Sequence, residues 1–125
     1  MAKIVHISLK VDDIEASSAF YRDVFGFEIV RTETKAGRVT RGMTDGAMDL
    51  TLMHYDSEDA PEATISGRGP CIHHFGIEVD DRHAFAEKVR AAGGEILSKP
   101  EAKAIKFRTP HGIVAEVIDE GAFGG

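Results

Sequence analysis

Two histidines and two carboxylates recur at matched places along the chain. His6 lies in Val5-His6-Ile7-Ser8-Leu9-Lys10-Val11-Asp12-Asp13 and His74 in His73-His74-Phe75-Gly76-Ile77-Glu78-Val79-Asp80-Asp81. In this alignment His6 answers to His74, Val11 to Val79, Asp12 to Asp80 and Asp13 to Asp81. Further along, Met48-Asp49-Leu50 answers to Ala115-Glu116-Val117. Two imidazoles and a carboxylate form a donor set for a divalent transition metal, with positions left for water or substrate; a second carboxylate raises the donor count to four. His6, His74 and Glu116 are therefore candidate ligands. Glu116 sits mid-strand among apolar residues, where a carboxylate without a partner is costly. Asp49 is the shorter acid, and its residue type leaves three roles open: ligand, contact through water, or neighbour of a ligand.

The other chemistry-bearing residues have plainer readings. His54 and His73 fall on the opposite faces of their strands from the candidate ligands, His83 falls on a helix and His111 in a turn. Lys10 and Glu78 match one another in the repeat and read as a salt bridge, with capture of an anionic substrate by Lys10 as the alternative. Arg38, Arg41, Lys106 and Arg108 read as solvated strand charges that could also bind a carboxylate or phosphate. Cys71 has no thiolate-stabilising base beside it in sequence and reads as structural.

The elements that must position these groups are legible in outline. Residues 3–11 alternate, with Ile7, Leu9 and Val11 on one side and His6, Ser8 and Lys10 on the other, which predicts a strand with a core face and a wet, polar face. Asp12 or Asp13 caps a helix whose stripe runs through Ile14, Ser18, Tyr21 and Phe25, widened into an apolar face by Ala16, Phe20, Val24 and Phe27, and Gly26 ends it. Strands follow at 27–32, 38–43 and 47–54, the last two joined at Asp45-Gly46. The same order returns as a strand at 72–79, a helix at 82–92 stopped by Gly93-Gly94, and strands at 95–98, 104–109 and 113–119. Ala19-Phe20 matches Ala84-Phe85 and Glu28-Ile29 matches Glu95-Ile96, so register persists through strand, helix and strand. The predicted fold class is α+β, built from two βαβββ modules at 1–55 and 72–120, with an acidic, turn-rich linker at 56–71 and a tail at 121–125. The linker is a candidate lid or dimer arm.

Composition narrows the function classes. In 125 residues, 42% are hydrophobic and 29% charged, which suits a folded domain and argues against disorder. The net charge of −6 without a basic stripe argues against nucleic acid. No apolar run approaches a membrane span. A strand that begins almost at Met1 leads us to expect no signal peptide, and the single cysteine suits a reducing cytoplasm. Phosphate-loop, Rossmann-glycine and G-x-S-x-G patterns are absent.

The paired modules, His6 in a first strand, the stretch at 73–81, and Thr109-Pro110-His111-Gly112-Ile113-Val114-Ala115-Glu116-Val117 resemble the vicinal oxygen chelate superfamily over residues 3–119. This group includes glyoxalase I, methylmalonyl-CoA epimerase, extradiol dioxygenases and fosfomycin-resistance transferases. The resemblance implies that the modules, related by a pseudo-twofold, curl into a curved sheet or barrel around one divalent ion: Ni, Co, Mn, Zn or Fe. His6, His74 and Glu116 match the ligand positions of strands one, five and eight, and Asp49 stands where lyase-type members carry a fourth ligand. Glu116 or Asp49 would be the catalytic base. Lys10, Met53 and Arg38 are candidate substrate contacts. Lys10 stands at the place of the arginine that holds glutathione in glyoxalase I, and Met53 at that of an asparagine. Lys35-Ala36-Gly37 replaces the region of the epimerase glutamate, and Pro100-Glu101-Ala102-Lys103 differs from the transferase cation loop. The function implied is a metal-dependent lyase or isomerase that chelates adjacent oxygens of a small molecule and stabilises an enediolate. The alternatives are an Fe(II)-dependent ring-cleaving or other dioxygenase, and a non-enzymatic drug- or metabolite-binding resistance protein. A cytoplasmic homodimer is implied, with no nucleic acid or membrane partner.

Overall fold

A computed structural model describes residues 2–122. The last part of the expected tail, 123–125, lies outside the described residues. The chain forms two compact units, one from His6 to His73 and one from His74 onward together with the start of the chain up to Val5. The linker expected at 56–71 thus belongs to the first unit.

The first unit holds β1 from His6 onward (the strand itself is Lys3–Lys10), α1 (Ile14–Phe25), β2 (Glu28–Lys35), β3 (Arg38–Thr44) and β4 (Asp49–Tyr55). Its strands lie in the order β2-β3-β4-β1. β4 runs parallel to β1, with His6 opposite Asp49, and antiparallel to β3. The Asp13 side chain caps α1 by accepting from the Ala16 N–H at 3.0 Å, and Gly26 closes the helix at φ 76°, a conformation that disfavours other residues.

Of the face expected to be buried on α1, Ser18 is buried but the large apolar residues turn outward. Phe20, Val24 and Phe25 are 53–60% exposed. The buried residue of the helix is Ser18. It meets Arg41 of β3 at 2.9 Å, and the same guanidinium grips both carboxylate oxygens of Glu15 at 2.8 and 3.0 Å. Arg41 is thus no solvated strand charge. It is the polar tie between helix and sheet, and the aromatic rings of α1 stack on one another and on Phe27 instead.

The second unit holds β5 (Cys71–Val79) from His74 onward, α2 (Arg82–Ala91), β6 (Glu95–Ile96), β7 (Ala104–Arg108) and β8 (Val114–Asp119). The order β5-β8-β7-β6 repeats the topology of the first unit, with first and last strands parallel and the others antiparallel. Here the core is apolar as expected. Val79, Ala86, Ile105, Phe107, Ala115 and Val117 form one cluster under Phe85 and Val89 of α2. The helix ends at Ala91 with Ala92 as its cap, and Gly94 lets the chain pass close beneath: a Cβ there would stand 2.5 Å from a Val89 methyl and 3.1 Å from its carbonyl.

Register separates the two modules. Opposite β1 lie His6↔Asp49 and Ser8↔Thr51, whereas opposite β5 lie Phe75↔Ala115 and Gly76↔Glu116. Because His6 answers to His74 and Ser8 to Gly76, the residue standing where Glu116 stands in the other unit is Thr51. Asp49 is one pleat, two residues, earlier. The sequence match of Asp49 to Glu116 is therefore not a match in the ladder.

Candidate metal centre

In the first unit, the polar side of β1 is the buried side. His6, Ser8 and Lys10 are 3%, 1% and 3% exposed. This reverses the expectation of a wet face, and the reason is that each group is partnered. His6 Nδ1 faces Asp49 Oδ2 at 2.5 Å, and its Nε2 lies 2.7 Å from the Ser8 hydroxyl. Asp49 is further held by the Thr51 hydroxyl, which donates to Oδ2 at 2.6 Å, and by Arg31, which donates to Oδ1 at 2.7 Å. Arg31 reaches the Thr51 oxygen as well, at 2.8 Å, closing a ring of hydrogen bonds. Burial by itself pushes the Asp49 carboxyl up; the hydrogen bonds from His6, Arg31 and Thr51 together outweigh it and lower the value to about 2.

Arg31 had no reading in the sequence, and two features of the fold bring it here. The pairing of β2 with β3 slips between Ile29 and Arg31, so that Val30 is the extra residue of a bulge and Arg31, not Val30, lies opposite Gly42. A bulge of this kind re-aims the side chain that follows it. Gly42 then leaves the path open: a Cβ there would stand 2.3 Å from the Arg31 guanidinium. A glycine inside a strand pattern signals such a close approach.

In the second unit, His74 Nε2 lies 3.0 Å from Glu116 Oε1. Both side chains are buried. Lys106, directly opposite Glu116 in the β7–β8 ladder, places its ammonium 3.4 Å from the same oxygen, so it too is more than a solvated charge. The separation of 3.0 Å suits two donors to one ion. Ligand bonds of about 2.1 Å at right angles put neighbouring donor atoms about 3.0 Å apart.

The remaining candidates are placed otherwise. Lys10 does not pair with Glu78 and has no ammonium hydrogen left for a substrate anion: it donates to the carbonyls of Ala63 at 2.6 Å and Gly67 at 2.8 Å and to Glu58 at 3.1 Å. Glu78 instead accepts from the Gly121 N–H. Lys10 thus pins the linker, whose short 3-10 turn at Pro61–Thr64 buries Ala63 completely. His73 adds a second latch, with Nε2 2.7 Å from the Glu62 carbonyl. The linker is packed onto the first unit, which does not fit a lid. Met53 is buried, in register between Lys10 and Thr40. Arg38 meets Glu62 at 3.3 Å on the wall of a cleft of ≈ 550 Å³ lined also by Lys35, Tyr55 and Pro61. His54 bonds the Val11 carbonyl, and His83 and His111 are exposed.

The family model described as the Glyoxalase/Bleomycin resistance protein/Dioxygenase superfamily matches residues 3–117. The chain belongs to this superfamily. Among curated members, a lactoylglutathione lyase of Haemophilus influenzae is 35% identical over 75% of this chain and 70% of its own length. An ethylmalonyl-CoA/methylmalonyl-CoA epimerase of Cereibacter sphaeroides is 29% identical over 82% of this chain and 80% of its own. The fold is likewise that of the superfamily. The structure of a methylmalonyl-CoA epimerase in complex with methylmalonyl-CoA and NH4+ superposes with a TM-score of 0.79 over 98% of this chain and 96% of that one, at 24% identity. A hypothetical protein from Bacillus halodurans gives 0.81 over 95% and 94%, at 22%.

Proposed function

We propose that this superfamily member is a metal-dependent lyase or isomerase acting on a small molecule with adjacent oxygens. His74 and Glu116, both buried in the second unit, are the ligands we assign to a divalent ion, and His6 is assigned as a further ligand by its sequence match to His74. The observation that carries the reading is the His74–Glu116 pair at 3.0 Å, a buried imidazole and carboxylate at the spacing of neighbouring ligands. His6 is the corresponding histidine of the other module. The bound ion would supply Lewis-acid stabilisation of the negative charge that develops on the adjacent substrate oxygens when a carbon-bound proton is removed. Glu116 is the carboxylate we assign to take that proton. The Lys106 ammonium contributes positive charge beside it, and Arg38 is the cation available to a substrate carboxylate or phosphate.

The names of the similar proteins support the same reading, since one is a lactoylglutathione lyase and the other an ethylmalonyl-CoA/methylmalonyl-CoA epimerase. Substrates of those two classes are the ones to assay. A second reading, Fe(II) dioxygenase chemistry, draws support from the two-histidine, one-carboxylate donor set itself. We further propose a homodimer, on the ground that α1 presents Phe20, Val24 and Phe25 outward, and a place in the cytoplasm, which the single cysteine suits.

The test is metal analysis by mass spectrometry of untagged protein beside Glu116→Ala. About one Ni, Co, Mn or Zn per chain, lost in the variant, is the expected result, followed by turnover of a glutathione hemithioacetal or of methylmalonyl-CoA. Iron that oxidises in air would move the assignment to dioxygenase chemistry. No metal in either protein, with none taken up on reconstitution, would leave a metal-free binding protein.

A further inference from the structure

Asp49, by residue type, is a candidate fourth ligand, and the first unit is built against that role. We infer that Asp49 is a positioning residue rather than a ligand: it fixes His6 as the Nδ1–H tautomer and so aims the Nε2 lone pair at the ion. Arg31, delivered by the Val30 bulge across Gly42, holds Asp49 in place. The inference rests on the metal reading above and deepens it.

Three observations converge. The first is register. The place in the first unit that corresponds to Glu116 belongs to Thr51, which has no carboxylate, while Asp49 lies directly opposite His6. The second is contact. His6 Nδ1 lies 2.5 Å from Asp49 Oδ2, within hydrogen-bond distance of an acceptor-only carboxylate, and each Asp49 oxygen also takes a donor from Arg31 or Thr51. The third is the contrast with the second unit. There the longer carboxylate of Glu116 meets Nε2 of its histidine, not Nδ1. One acid therefore stands behind its imidazole and the other beside the donor nitrogen. Carboxylates that accept the distal N–H of a ligating histidine set its tautomer and raise its basicity. Ser8 completes the arrangement. With Nδ1 protonated, Nε2 bears the lone pair and accepts from the Ser8 hydroxyl at 2.7 Å, a contact that a metal would replace by rotation of one side chain.

Asp49 is then not among the ligands. Gly42 is part of the device: a methyl group there would strike the guanidinium of a flexible side chain, not backbone, so it would displace Arg31 while leaving the strands intact.

The experiment is in two arms. In metal-free protein, long-range nitrogen–proton NMR reads the His6 tautomer. Nδ1–H is expected in the wild type, with a shift toward Nε2–H in Asp49→Asn. Gly42→Ala should move it in the same direction with every charge retained, and it also serves should Asp49→Asn fail to fold. In Co(II)-loaded protein, Asp49→Asn is expected to keep about one ion per chain with its visible ligand-field spectrum unchanged and its affinity down about 10–100-fold. Glu116→Ala should lose the ion. His6 as Nε2–H in the wild type would overturn the inference. So would an Asp49→Asn cobalt spectrum altered as by loss of a ligand. Nδ1–H His6 in a protein that takes up no cobalt would uphold the positioning by Asp49 while overturning the metal reading, so the two failures are distinguishable.

Discussion

At the scale of single residues, the recurrent theme is a titratable group held by named polar partners. His6 with Asp49, and His74 with Glu116, are the two pairs that matter for chemistry. Asp119 shows the same economy at the edge of the second unit. It accepts from the Arg82 backbone N–H at 3.1 Å and from the Arg82 guanidinium, joining the end of β8 to the start of α2. The Arg82 N–H lowers the Asp119 carboxyl most, partial burial opposes it, and the guanidinium lowers it further. A carboxyl lowered by folding stabilises the protein fully above its unfolded value, about 3.9. That stability is lost as pH falls from there through the lowered folded value. Asp119→Asn should therefore flatten the acid limb of an unfolding-free-energy profile below about pH 4 and leave its pH dependence at neutral pH unchanged. An unchanged acid limb in urea titrations would count against the ion pair.

At the scale of elements, the polar face of β1 does two jobs in sequence order. His6 and Ser8 belong to the candidate centre, and Lys10, two residues beyond Ser8, ties the linker down. Ala63 and Gly67 each give Lys10 a backbone carbonyl to donate to, that of Ala63 being buried. Lys10→Met should fold but lose about 1–3 kcal/mol of stability, the cost of leaving the buried Ala63 carbonyl unpaired. Amide hydrogen exchange should rise locally over 58–67, which a general loss of stability would not single out. Uniform exchange throughout the chain would refute the tether. The bulge in β2 is the other device at this scale, since it exchanges which of two neighbours, Val30 or Arg31, meets the inner face.

At the scale of the whole molecule, two units repeat one topology with different interiors. The second packs a continuous apolar cluster under its helix. The first packs its helix through Ser18, Glu15 and Arg41, and turns Phe20, Val24 and Phe25 to the outside. Covering such side chains is worth roughly 1.5–3 kcal/mol each, which is the reason to expect a second copy of the chain there. Sedimentation equilibrium should give twice the chain mass. Phe25→Glu should shift the protein to monomer with far-ultraviolet circular dichroism retained. A monomeric wild type at micromolar concentration would dispose of the dimer. Among the described residues no helix is long and apolar enough to cross a membrane.

The order of elements, the internal repeat, an aspartate cap at Asp12 or Asp13 for α1 and the choice of His6, His74 and Glu116 as candidate ligands were all readable from the chain. They rest on local chemistry: alternation, capping side chains, and residue types recurring in register along one sequence. Membership of the superfamily was readable for the same reason. The role of Asp49 was not, because it turns on how far β4 slides against β1 relative to β8 against β5, and a slide of one pleat keeps every side chain on its face and so leaves no trace in the hydrophobic pattern. Arg31 was hidden for a related reason. A single bulged residue moves it to the inner face, and only the strand opposite, with Gly42 in the path, shows where its guanidinium goes. The burial of Lys10 and the exposure of Phe20 and Phe25 likewise reverse what their types suggest. Hydrophobicity states what a residue would gain by burial, but tertiary packing decides which faces meet, and a fully paired ammonium or imidazole can occupy the interior as well as a leucine can.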